Sequence, residues 1–231
     1  LGRDVFARGM PEAVIVDHDG TMLDTLGDFT VAVNHMLAEM ALPSIAAARI
    51  ESMVGKGSEH LIHSVLLHVR GQEPEEALRR EAWERYSRHY LDINGQHASV
   101  YPGVVDGLQA LRAAGLRLAC LTNKPGDFAR PLLASKGLAK YFDVVFGGDA
   151  FERKKPDPLP LRKTCEVLGT AAERTLMVGD SSNDAQAARA AGCPVVLMRY
   201  GYNHGEPIDA VDADGLLNSL EELAPMLRAH A

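Results

Sequence analysis

The chain has 231 residues, 46% hydrophobic and 24% charged, with a formal net charge of −7; this is enough apolar material for one large domain or two modest ones, and the absence of any Lys or Arg run argues against nucleic acid as a partner. Cys120, Cys165 and Cys193 are odd in number and form no Cys-x-x-Cys pair, which argues against a disulfide framework and against zinc. No stretch is apolar for long enough to span a bilayer, and residues 1–10 lack the charged-then-apolar order of a signal peptide, so a reduced cytoplasmic setting with no membrane partner is expected.

The first predicted element is a buried strand over Ala13–Val16, and Asp17-His18-Asp19-Gly20-Thr21 follows it directly. Positions i and i+2 of an extended chain share a face. The spacing therefore aims Asp17 and Asp19 into one small volume, where like charges repel unless a cation or a shared proton compensates. A calcium loop starting at Asp17 would want Gly and Glu at its sixth and twelfth positions, where Met22 and Asp28 stand. By alternation, His18 points away from both carboxylates and reads as a packed or hydrogen-bonded residue.

Residues 24–97 show helical periodicity and no convincing strand. Leu26, Phe29, Val33, Leu37 and Met40 form one stripe, Leu61, Val65 and Val69 another, and Pro74-Glu75-Glu76 opens a third helix. This segment reads as a helical domain inserted into an α/β unit made of residues 1–23 and 98–231, with two hinges beside the carboxylate pair. Its Gly55-Lys56-Gly57 loop permits close approach to a ligand, or is a plain inter-helix turn. It is not a phosphate-binding Walker loop, because Ile50 stands where the first Gly belongs.

From residue 98 onward, apolar runs at 116–121, 143–146, 175–178 and 194–198 alternate with predicted helices at 104–114, 126–136, 158–168 and 183–191. That is the pattern of a doubly wound parallel sheet covered on both faces. Ligands in such folds bind beyond the carboxyl ends of the strands. Asp17 and Asp19, Thr122-Asn123-Lys124, Lys154-Lys155-Pro156 and Gly179-Asp180 with Asn183-Asp184 therefore converge on one rim. Carboxylates, lysines and a hydroxyl together suit phosphoryl transfer, which needs a nucleophile, a hard cation and donors for phosphate oxygens.

In this order, Asp17-His18-Asp19-Gly20-Thr21, Thr122, Lys155 and Gly179-Asp180 with Asn183-Asp184 resemble the four motifs of the haloacid dehalogenase superfamily, and the helical insert resembles its cap. The stretches at 122–125, 154–161 and 201–208 look most like the phosphoglycolate phosphatases within it. The resemblance implies a phosphatase acting on a small phosphorylated acid, 2-phosphoglycolate first among them. In it Asp17 is the nucleophile, Asp19 the acid and base, and Mg2+ is held by Asp17, Asp19, Asp180 and Asp184. Thr122, Asn123 and Lys155 bind phosphate, and Lys56 is a candidate for the substrate carboxylate. The rivals are a broad-range sugar-phosphate phosphatase, a phosphonate hydrolase using Lys56 as its amine, and a non-catalytic binding protein of the same fold. Monomer and homodimer both stay open.

Overall fold

The computed structural model describes Val5 and residues 9–229, so most of the stretch read for a signal peptide lies outside the described residues. Strand β1 (Ala13–Val16) opens the fold and is followed by the two-residue β2 (Leu23–Asp24). Four helices come next: α1 (Leu26–Glu39), α2 (Ala47–Glu51), α3 (Ser58–Arg70) and α4 (Glu76–Ile93). The chain returns through β3 (Ser99–Val100) into α5 (Val104–Ala113), β4 (Arg117–Leu121), α6 (Gly126–Ser135), β5 (Val144–Phe146) and α7 (Leu159–Leu168). It ends in β6 (Thr175–Gly179), α8 (Ser182–Ala191), β7 (Val195–Met198), β8 (Gly215–Leu217) and α9 (Leu223–Ala229).

Six strands form one parallel sheet in the order β5-β4-β1-β6-β7-β8. Apart from Arg117 and Thr175 at their starts, the strands carry no polar side chain, because each face is covered. Val14, Val16, Leu118, Cys120, Leu176 and Val178 pack against Leu108 and Leu111 of α5, Leu132 and Leu133 of α6, and Leu223 of α9. The alternate residues Ala13, Ile15, Ala119, Leu121 and Met177 pack against Leu161 and Cys165 of α7 and Ala185 and Ala188 of α8. This is the period-2 alternation of a three-layer α/β core.

Helices α1–α4 bury their stripes against one another in a separate apolar cluster around Phe29, Val33, Leu37, Leu61, Val65, Tyr86 and Tyr90. The two crossings into and out of this segment lie side by side. Leu23 pairs with Val100 and Asp24 with Ser99 in an antiparallel ladder. Buried Asp28, in the first turn of α1, accepts the Gly95 and His97 amides at 2.8 Å each. A Cβ at Gly27 would lie 2.5 Å from the His97 carbonyl, so the crossing passes too closely for any side chain there.

Candidate active site

The central strand β1 sets the site. Val16 is in register with Cys120 of β4 and Val178 of β6, so the residues just beyond these three strands emerge together at the carboxyl edge, on either side of the point where strand order reverses. The Asp17 amide still donates to the Val178 carbonyl at 2.9 Å, after which the Met22 and Leu23 amides both turn back to the His18 carbonyl. The chain is no longer extended here, and strand alternation fails at His18. Its Nδ1 lies 3.2 Å from Asp19 Oδ1, so it is fastened to a carboxylate rather than aimed away from both.

Asp17 and Asp19 line one cleft with Thr122, Asn123 and Lys124, roofed by Phe29, Val54, Gly55, Gly57, Ser58 and Leu61 of the helical segment. Buried Lys155 stands behind Asp17. Its Nζ lies 3.1 Å from Asp17 Oδ1, is 2.7 Å from Asp184 Oδ1, and donates to the Leu121 carbonyl at 3.0 Å. Asn123 fixes Lys155 through both ends of its amide, accepting from the Lys155 amide at 3.0 Å and donating to its carbonyl at 2.8 Å. Buried Thr122 accepts the Lys124 amide at 3.1 Å.

Asp180 receives Thr21 Oγ1 at 2.9 Å on one oxygen and the Tyr202 amide at 2.6 Å on the other. Asp184 has two tasks. Its Oδ1 meets Lys155, while its Oδ2 accepts the Asp180 and Ser181 amides at 3.1 and 3.2 Å in a capping box that starts α8. The cap is therefore Ser181 with Asp184, and Asn183 is turned elsewhere, donating to the Gly55 carbonyl at 3.2 Å.

Two lysines depart from the sequence reading. Lys56 is exposed and does not line the cleft, because the close approach is made by its glycine neighbours. Lys124, which sequence reasoning left without a role, is buried at the cleft wall, 2.9 Å from Asp19 Oδ1 and over the rings of Phe29 and Tyr90 at 4.4 and 4.6 Å. Its one local signal was its place in Thr122-Asn123-Lys124, directly past β4.

The electrostatics divide the carboxylates. Burial would raise Asp19, but the Lys124 ammonium and His18 outweigh it and hold the carboxyl below the usual range. Asp17 is pushed up to about 7 by burial and by the charge of Asp184, against the pull of Lys155. Asp180 is raised well above the usual range by burial and by both neighbouring carboxylates. Burial likewise works against the Lys155 charge, but Asp17 and Asp184 hold its pKa above that of an ordinary lysine.

Asp17, Asp180 and Asp184 each bring a carboxylate oxygen within 4.8 Å of the others. Three carboxylates against the one ammonium of Lys155 leave two negative charges uncompensated, which is the charge of one divalent cation. An all-oxygen donor set fits a hard ion. The residues present therefore fit magnesium.

Residues 14–198 match the haloacid dehalogenase-like hydrolase family. The chain belongs to this family. It is 44% identical over 216 residues to a phosphoglycolate phosphatase of Thiobacillus denitrificans, covering 94% of this chain and 95% of that one. It is 38% identical to the phosphoglycolate phosphatase of Escherichia coli K12, covering 93% and 91%. Among solved structures, a predicted phosphoglycolate phosphatase from Haemophilus somnus superposes with a TM-score of 0.89 at 29% identity, over 94% of this chain and 97% of that one. The family is one of hydrolases, and this chain is an enzyme. No helix among the described residues is long and apolar enough to cross a membrane.

Proposed function

We propose that this hydrolase is a magnesium-dependent phosphatase that converts 2-phosphoglycolate to glycolate and phosphate in the cytoplasm. The observation that carries the reading is the Lys155 ammonium held between Asp17 and Asp184, with Asp180 beside them, directly behind a cleft lined by Asp17 and by a second cation, Lys124. A phosphoryl group needs the first cluster, and Lys124, paired with Asp19 at the cleft wall, supplies positive charge for a carboxylate on the same small substrate. The names of the relatives at 38–44% identity support the same substrate.

In this mechanism the Asp17 carboxylate attacks phosphorus, the bond to the glycolate oxygen breaks, and an aspartyl phosphate remains. Asp19 supplies the proton that the departing alkoxide takes up. It then removes one from the water that hydrolyses the acyl phosphate. Thr122, the Asn123 main chain and Lys155 hold the phosphate oxygens as charge builds on them. Asp17, the Asp19 carbonyl and Asp180 would hold magnesium, with Asp184 fixing Lys155 behind them, and the ion would neutralise developing phosphate charge. The segment 24–97 acts as a cap that shields the cleft from bulk water.

The test is kcat/KM over a panel of 2-phosphoglycolate, sugar phosphates and p-nitrophenyl phosphate, with magnesium and with EDTA. The expected result is a clear preference for 2-phosphoglycolate that vanishes in EDTA. A sugar phosphate ranking first would install the broad-range reading, and no turnover at all would leave a binding protein. A phosphonate hydrolase would need a free amine in the cleft, and Lys56 does not line it.

A further inference from the structure

Tyr202 belongs to the 201–208 stretch, which the mechanism does not use. Its backbone follows β7 in the sheet core, yet its ring is buried in the apolar cluster of α1–α4. The two ends of the residue do different things. Its amide donates to Asp180 Oδ2 at 2.6 Å. Its hydroxyl donates to Asp24 Oδ1 at 2.6 Å and accepts the amides of Thr25 and Leu26 at 3.0 and 3.2 Å.

Those two amides open α1, and a helix start needs acceptors for such groups. The residue at the cap position, Thr25, does not supply one, because its hydroxyl donates to Asp19 Oδ1 at 2.7 Å. The phenol oxygen of a residue 177 positions away fills the gap. There is no slack around it. A Cβ at Gly20 would come within 2.1 Å of Asp180 Oδ2 and 2.8 Å of Tyr202 Cδ2, and one at Gly201 within 2.2 Å of Asp180 Cβ.

We infer that Tyr202 is a positioning residue that fixes α1, and with it the cleft wall carrying Phe29, against the Asp180 carboxylate. The inference rests on reading the cleft as a phosphatase site under a cap. Its two contacts can be separated, since Tyr202 holds Asp180 through its main chain and α1 through its hydroxyl; Asp24 Oδ1 also accepts the Leu26 amide at 3.3 Å, so the Thr25 amide is the one that depends on the phenol. Tyr202→Phe keeps the ring and the amide and removes only the grip on α1.

The experiment compares Tyr202→Phe with wild type by kinetics on p-nitrophenyl phosphate, by magnesium titration and by amide hydrogen exchange. Exchange at Thr25 is expected to quicken at least tenfold and KM to rise at least fivefold. At the same time kcat and the magnesium concentration for half activation should stay within twofold. Asp24→Ala, which frees the hydroxyl and also takes an acceptor from the Leu26 amide, is expected to give the same split, with exchange at Thr25 as the readout of the phenol, and serves if the first variant does not accumulate. Unchanged exchange and KM would overturn the inference. So would a fall in kcat or a shifted magnesium midpoint at constant KM, which would mean Tyr202 acts only through Asp180. A wild type that lacks magnesium-dependent turnover overturns the phosphatase reading, while the exchange data still report whether the hydroxyl holds α1.

Discussion

Gly55 and His204 meet across the mouth of the cleft: a Cβ at Gly55 would sit 2.9 Å from His204 Cε1, and Gly55 itself has φ 111°. The Gly55 carbonyl also accepts the side-chain amides of Asn123 and Asn183 at 3.1 and 3.2 Å. One glycine thus pins the helical segment to two separate places on the core and lies close against a third. Gly55→Ala is expected to lower kcat/KM for small phosphomonoesters by about tenfold, or roughly 1.4 kcal/mol, through both the clash and the positive φ. Steady-state kinetics checks this, and wild-type values would show that the loop yields without consequence.

Asp17→Asn is expected to remove turnover by several orders of magnitude, since an amide of the same shape is a poor nucleophile. The fold should not suffer. Asp17 is crowded by Asp184 and raised by burial, so neutralising it relieves repulsion, and the melting temperature in EDTA should match or exceed that of wild type. A variant keeping more than a small fraction of kcat would move the attacking role elsewhere.

The two lysines near the cleft should separate cleanly. Lys124→Met removes a buried cation from Asp19 and from the Phe29 and Tyr90 rings. Its kcat/KM for 2-phosphoglycolate is expected to fall on the order of tenfold to a hundredfold, the scale of a lost charge-assisted hydrogen bond of roughly 1.5–3 kcal/mol. Lys56→Ala should stay within about threefold, because an exposed side chain off the cleft meets bound substrate through solvent. The reverse ranking would return the carboxylate to Lys56.

Metal removal has a pH signature. Asp17 is raised to about 7, and Asp180 is raised too, by burial and by neighbouring carboxylates. In EDTA the folded chain therefore binds protons that the unfolded chain has already released. The contribution of these two carboxyls to stability is greatest below the unfolded carboxyl value and is lost as pH rises through about 7, where Asp17 titrates in the fold. Saturating magnesium takes the place of those protons and should flatten the decline. Thermal melts from pH 5 to 8 with and without the ion measure this, and parallel curves would show that the cluster holds no cation.

Much of this was legible locally. β1 lies over Ala13–Val16 as the apolar run predicts, and β4–β7 and α5–α8 fall within a residue or so of their predicted spans. The parallel sheet then brings Asp17, Thr122, Lys155, Asp180 and Asp184 to one edge by connectivity alone. Short elements escaped because two or three residues carry no period: β2, β3 and β8 are recognised only by their partners. The Lys124 site escaped for a related reason. Its aromatic neighbours lie on α1 and α4, and nothing along the chain marks a lysine whose charge is stacked on rings.

The antiparallel pairing of Leu23 with Val100 and Asp24 with Ser99 makes the helical segment a bulb on a two-stranded stalk. Paired residues in such a ladder stand only about 5 Å apart, so the sheet hardly registers how much chain hangs between them. Insertions, deletions or wholesale exchange of the bulb are confined to a span whose ends are already tied, and the reactive strands need not shift. The same catalytic floor can thus be given a different roof, and so a different substrate, without being rebuilt.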